Sequence, residues 1–381
     1  MNNNIMSRGD NMKVLVAMDE FNGILSSYDA NRFVEEAVDS QIEDADIVQV
    51  PLFNGRHELL NSVFMWKSGT QYRIDVHDAE MNEIEAQYGQ TEDGLTVIQA
   101  EQFQKGTGHY LNHTSYGLGE VIQHALNKGA KTFAISVGGT DTFDGGAGML
   151  QALGAVFYND DGERVDMTKG LGQVKHIRRV DTSGLHPQLK DTHFQILIDF
   201  SSKMYGKQSA IMQSYKTLHL SREEAVEIDN LLWYFSEIMK HELKLSLGQI
   251  ERGGAGGGMA AIFKTMFNAE IMTSHELVDQ ITGLENLVKQ ADLILFGEGI
   301  NERDHVINTS SLRIAELAQQ YQKVAIALCG TSEKFEQYEN LGVTAMFNAF
   351  DEMPNEYPDF KLGVTLRAYT VQVVKLLNAH I

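Results

Sequence analysis

The stretch AISVGGTDTFDGGAGMLQALG (Ala134–Gly154) carries an apolar run, a glycine pair, a second glycine-rich turn and then a helix-like segment. An apolar run that stops at glycines and resumes with helical spacing reads as strand, tight crossing and helix, the unit of an α/β sheet. Glycine permits positive φ and lets a ligand approach the backbone, while the following helix offers unpaired N–H groups and the positive end of its dipole. RGGAGGGMAAIF (Arg252–Phe263) has the same character, and LFGEGINE (Leu295–Glu302) is a third glycine turn at a strand's C-terminal end, where open α/β sheets place ligands. One such loop means little. Three, with Asp144 in one and Glu298 in another, point to a phosphate-bearing ligand. None has the Walker pattern or the dinucleotide fingerprint after the first strand, which disfavours an ordinary P-loop or nicotinamide enzyme.

Working outward, KVLVAMD (Lys13–Asp19), a helical run with apolar Ala30, Phe33, Val34, Ala37 and Val38, and DIVQVPL form a βαβ unit. The alternation returns at the far end. TSHELVDQITGLENLVKQ opens with a Thr273/Glu276 capping box, and ADLILFGEG, SSLRIAELAQQYQ, KVAIALCG and a closing helix follow. Between them, YRIDVHDAEMNEIEAQYGQTEDGLTVIQA alternates with period two around Asp93-Gly94, as hairpin strands do, and Ser221/Glu224 cap a long amphipathic helix. The expected architecture is α/β in two domains. A Rossmann-like parallel-sheet domain is built from both termini (12–62 with 275–381), and an α/β domain carrying the glycine loops is inserted at 63–274.

A chain of 381 residues can bury two such cores. Its net charge of −21 opposes nucleic acid and anionic membranes. No apolar run approaches the ~18 residues of a membrane span. The single cysteine, Cys329, lies in an apolar strand, which excludes a disulfide framework and points to a reducing, cytoplasmic setting. Three His-Glu pairs lack the second histidine of a zincin, and His109 and His113 read as solvated or capping groups. The aromatic cluster in LLWYFSEIM reads as core or as a contact in a homo-oligomer.

VAMDEFNGILSS, TSYGLGEVIQHAL, GGTDTFDGGAGMLQALGA, GGAGGGMAA and ADLILFGEG occur in the order and spacing of the bacterial glycerate kinase family, which the chain resembles from Met12 onward. The resemblance implies ATP and Mg²⁺ as cofactors, D-glycerate as the small hydroxy-acid substrate, and a cleft between the two domains. It implies catalytic roles for Asp19, Asp144, Asp199, Lys216 and Glu298. It places Gly138, Gly139, Thr140, Gly145, Gly146, Gly256, Gly257, Gly258 and Gly297 around the nucleotide, and Asn22, Gly23, Asn54 and His57 on the substrate side. The metal ligands stay open.

The chain also departs from that pattern. Asn22 stands at the lysine of the family's D-S-F-K-G-S loop. In the loop resembling P-M-A-D-G-G-E-G-T, Asn54 stands at the aspartate, Arg56 at a glycine, His57 at the glutamate and Glu58 at the last glycine, and this segment is expected to be a solvated surface turn. Phe143 replaces an asparagine in the third loop, and Asn308-Thr309 replace the Gly-Lys of the last motif. Three readings follow. The chain is a glycerate kinase with a rearranged site, a kinase of a related small acid, or a paralogue that binds a metabolite, nucleotide or protein without turnover.

Overall fold

The structure is a computed structural model that describes residues 11–21, 23–198, 201–299, 309–330, 335–348 and 359–378. Strand β1 (Lys13–Met18), the helix Ser27–Asp39 and β2 (Asp46–Gln49) form the first βαβ unit. Next come β3 (Gly69–His77), β4 (Glu83–Thr91), β5 (Leu95–Gln99), the helix Tyr116–Asn127, β6 (Thr132–Ser136) and the helix Ala147–Ala152. A small antiparallel sheet of β7 (Val156–Tyr158), β8 (Arg164–Val165) and β9 (Arg179–Asp181) precedes β10 (His193–Ile198) and β11 (Glu270–Thr273). The chain then returns through β12 (Leu293–Gly297), β13 (Val324–Cys329) and β14 (Ala345–Asn348).

The two ends share one parallel sheet, ordered β14-β13-β12-β1-β2, and the middle forms a second, ordered β11-β10-β6-β5-β4-β3. In the second sheet β11, β10, β6 and β5 are parallel, and the β3–β4–β5 meander pairs antiparallel. The Asp93-Gly94 turn joins β4 to β5, with Gly94 at φ +90° donating to the Thr91 carbonyl at 2.9 Å.

Burial on both faces explains why β1 and β12 are continuous apolar runs. Val14, Val16, Met18, Leu293 and Leu295 pack with Phe33, Val34, Leu362, Leu366 and Val374 of the helices Ser27–Asp39 and Asp359–Asn378. Leu15, Ala17, Ile294 and Phe296 face the other way and share a core with Val97, Ala134, Leu197 and Met272 of the second sheet. The helices Leu59–Trp66, Ser274–Thr282, Leu284–Gln290 and Ser310–Gln320 contribute to that shared core and so join the sheets. Residue 62 lies within the first of these helices, and residue 274 begins the second.

Both capping boxes form, at Ser221/Glu224 and Thr273/Glu276. The segment after Thr273 is two helices, because Gly283 adopts φ +65° and ends the first with a left-handed cap. Cys329 is a buried free thiol, and no described helix is long and apolar enough to cross a membrane.

The glycine loops after β6 and before the helix Met259–Met266 fold onto each other. Gly145 N–H donates to the Gly257 carbonyl at 3.1 Å, and a Cβ on Gly257 (φ +61°) would lie 1.9 Å from the Thr142 carbonyl oxygen. Only glycine permits that approach. Gly257→Ala is expected to lower the unfolding free energy by about 2–4 kcal/mol, combining a steric clash with a left-handed alanine. A fall in the urea midpoint at unchanged m would show it.

Candidate active site

Parallel strands deliver their C-terminal residues to one edge. There Asp19 N–H donates to the Gly297 carbonyl at 2.8 Å, Gly299 N–H to the Glu20 carbonyl at 3.0 Å, and Gly330 N–H to the Glu298 carbonyl at 2.9 Å. These bonds bring the ends of β1, β12 and β13 together and gather three carboxylates, Asp19, Glu20 and Glu298, each at most 9% exposed. Asp19 Oδ1 accepts from Glu20 N–H at 2.7 Å. Glu298 Oε1 accepts from the Tyr338 hydroxyl at 2.6 Å, and burial, then the Glu298 charge, pushes that phenol well above its ordinary range. A Cβ on Gly297 would lie 1.9 Å from the Leu328 carbonyl oxygen, so this glycine serves the close passage of β13. Gly23 is an exposed turn residue at φ +70°. Asn22 and Asp199 lie outside the described residues.

The segment after β2 is not the solvated turn that the sequence suggests. Asn54 Oδ1 accepts from Arg56 N–H at 2.9 Å and His57 N–H at 2.8 Å, and its Nδ2 donates to Glu20 Oε1 at 3.1 Å. Arg56 Nη2 and His57 Nδ1 then reach Glu101, in the helical turn just after β5, at 3.4 and 2.7 Å. Gly55 also accepts from Gly138 N–H at 2.8 Å. A surface turn became a bridge because its two cations found a buried acid opposite. Burial disfavours the charged imidazole of His57, but the Glu101 hydrogen bond and the charges of Glu20 and Glu101 outweigh it and raise its pKa. Glu101 resists its own burial through the same partners, and its pKa falls. Glu58 pays a conformational penalty, with a non-glycine residue at φ +66°, and burial beside Glu20 raises its carboxyl pKa.

Across from this loop, Gly138, Gly139 and Thr140 are half-buried at the end of β6. The Thr140 hydroxyl pairs with that of Thr142 at 2.6 Å. Asp144 points inward and is 1% exposed. Its Oδ2 accepts from Ser115 N–H, Ser115 Oγ–H and Gly148 N–H at 2.8, 2.9 and 3.0 Å, and its Oδ1 accepts from Gly146 N–H at 2.9 Å. Burial raises its pKa against those four donors. Gly145, Gly146, Gly256, Gly257 and Gly258 are likewise buried against one another and their neighbours, so they shape the loops from behind rather than line the opening. Phe143 is buried against Tyr110. Lys216 is exposed, and among the described residues no ion pair ties it to the cluster. His109 caps a turn by accepting from Leu111 N–H, whereas His113 is fully buried, with Nδ1 2.9 Å from the Asp141 carbonyl.

The assembly is therefore a set of acids on the parallel sheet's edge, joined through Asn54 and Gly55 to an open glycine pair on the second sheet. The family profile described as "Glycerate kinase family" matches residues 14–362. This chain belongs to the glycerate kinase family. It is 28% identical to the glycerate kinase of Halalkalibacterium halodurans over 88% of this chain and 90% of that one. It is also 28% identical to the glycerate 2-kinase of Escherichia coli K12 over 84% and 85%. A solved structure from Salmonella typhimurium LT2, provisionally named glycerate kinase 2, superposes with a TM-score of 0.84 at 25% identity, covering 97% of this chain and 99% of that one. The family reaction is ATP-dependent phosphorylation of D-glycerate, so a small substrate and a nucleotide are the ligands of this fold.

Glu20, Glu101 and Lys105, to which the family resemblance assigns no role, also belong to this cluster. Lys105 Nζ lies 3.4 Å from Glu101 Oε1 and 3.9 Å from Asp141 Oδ2. The one available signal was an acid and a lysine just beyond the end of β5, hidden in a segment read for its hairpin alternation.

Two variants test this geometry. Asp144→Asn turns an amide toward four donors and is expected to cost about 3 kcal/mol of stability, read by urea denaturation. The raised His57 pKa stabilises the fold fully below the ordinary value of 6.5 and loses that contribution as pH rises through the folded value. The lowered Glu101 pKa contributes fully above its ordinary 4.5 and is lost as pH falls through its folded value. The stability gap between wild type and His57→Asn should thus be widest between those limits and close toward alkaline pH in paired thermal melts.

Proposed function

We propose that this chain is an ATP-dependent D-glycerate kinase working at the edge defined by Asp19, Glu20 and Glu298. The observation that carries this reading is the junction at Gly55 and Gly138, which sets the acids of one sheet beside the glycine pair of the other. Asp19 orients the substrate hydroxyl and accepts its proton as the oxygen attacks the γ-phosphorus of ATP, while the bond to the β–γ bridging oxygen breaks and ADP leaves. Gly138, Gly139 and Thr140 offer backbone and a hydroxyl to the phosphates. Asp144 fixes that turn from behind and is a positioning residue.

Hard carboxylate oxygens next to an approachable glycine pair fit a Mg²⁺-nucleotide, since Mg²⁺ is commonly held by one or two carboxylates plus substrate phosphates. Among the described residues no group of three or more His, Cys, Asp or Glu could hold a metal, so the phosphates would complete the shell. Glu20 and Glu298 would hold the ion, which when bound neutralises charge on the phosphate oxygens. The lysines of the family's first and last loops are absent, and each such loss typically lowers the rate by about 10²–10³. Turnover is accordingly slow unless other cations act.

A coupled ADP-release assay with D-glycerate, ATP and Mg²⁺ tests the reading. Wild type should turn over, and Asp19→Asn should lose about 10²–10³-fold in kcat. Equal rates would remove Asp19 from the chemistry, and no turnover by folded wild type would overturn the kinase reading itself.

A further inference from the structure

Glu101 sits within a receptor built for a carboxylate. Its Oε1 lies 3.4 Å from both Arg56 Nη2 and Lys105 Nζ, and its Oε2 lies 2.7 Å from His57 Nδ1. Three cations from two segments thus converge on one acid in a chain whose net charge is −21. The capacity of these cations is not exhausted. Arg56 Nε is buried with no hydrogen-bond partner among the described residues, and the Nη2 contact with Glu101 is long for a guanidinium–carboxylate pair. Lys105 is exposed, with Asp141 Oδ2 3.9 Å away as its second, looser acid. Gly139, at φ +69°, is what admits the pair, because a Cβ there would lie 2.8 Å from Arg56 Nε and 2.9 Å from Glu101 Oε1.

The receptor adjoins the acids. Asn54 holds His57 N–H with its oxygen and Glu20 Oε1 with its nitrogen, so one side chain spans from the cations to the carboxylate edge. A short hydroxy acid carries its carboxylate and hydroxyl a few bonds apart and needs adjacent sites for the two. We propose that Arg56, His57 and Lys105 bind the carboxylate of the hydroxy-acid substrate, and that Glu101 occupies this receptor until the substrate displaces it. The proposal rests on the hydroxy-acid kinase reading and makes these residues its specificity determinants. Glu101 keeps the three cations compact, and Arg56 and His57 select an acid over the corresponding neutral polyol.

Isothermal titration without nucleotide separates this proposal from the kinase reading. D-Glycerate, glycerol and inorganic phosphate are titrated at about pH 6, below the ordinary histidine value of 6.5 that Glu101 raises in wild type, into wild type, Glu101→Gln and Arg56→Met, each checked for folding by its melting curve. Glu101→Gln should bind D-glycerate about 10-fold tighter and Arg56→Met about 10- to 100-fold weaker, with glycerol binding unmoved. Partial recovery in Arg56→Lys would support the charge as the cause. Equal D-glycerate affinities in all the proteins, or no binding by any, would overturn the receptor. So would phosphate displacing D-glycerate at equal concentration, which would assign the cations to a phosphoryl group. A wild type that phosphorylates glycerate with Arg56→Met unchanged refutes the receptor alone. Arg56-dependent binding without turnover refutes the kinase reading alone.

Discussion

The Asp144 carboxylate is the point on which the Gly138–Gly148 edge of the inserted sheet depends. A buried charge is tolerable only where donors replace water, and here Ser115, Gly146 and Gly148 supply them all from backbone and one hydroxyl. Those donors belong to the starts of two helices, Tyr116–Asn127 and Ala147–Ala152, so one side chain fixes both helix ends and the turn between them. Ser115 Oγ adds a bond from Met149 N–H at 2.9 Å. The turn that begins at Gly138 is thereby held in place while Gly138, Gly139 and Thr140 stay half-buried.

Glycine packing extends this rigidity. The loop around Gly256–Gly258 lies directly against the loop around Thr142–Gly145, backbone to backbone. The glycines that most resemble a phosphate cradle in sequence thus pack behind the turn that begins at Gly138. The same spacing in a sequence can mean approach by a ligand or approach by another segment of chain, and only the packing tells them apart.

Charge around the Gly55–Gly138 junction has moved rather than vanished. The lysine position of the first loop holds Asn22, while Arg56 and His57 stand where the family's second loop has a glycine and a glutamate. Lys105 comes from a different segment and meets the same acid, Glu101. Electrostatic attraction across a few ångströms in a partly buried setting is strong enough to organise such a cluster, and the Glu58 backbone at φ +66° shows that the loop carries strain to maintain it.

The sequence by itself determined the α/β class, the return of the C-terminal strands to the first βαβ unit, both capping boxes and the family. Each follows from local rules, namely apolar runs of strand length, helical spacing, cap residues and glycine turns. It did not reveal the three-stranded sheet of β7–β9, whose strands of two or three residues leave no periodic signal, nor the break at Gly283. Only the tertiary structure decided which residues meet at the junction of the two sheets. Asp144 turned out to be a buried anchor, and Glu20, Glu101 and Lys105 became neighbours of residues far away in the chain. Such pairings depend on which sheet edge meets which loop, and no spacing along the chain encodes a contact that forms only when the two sheets share a core.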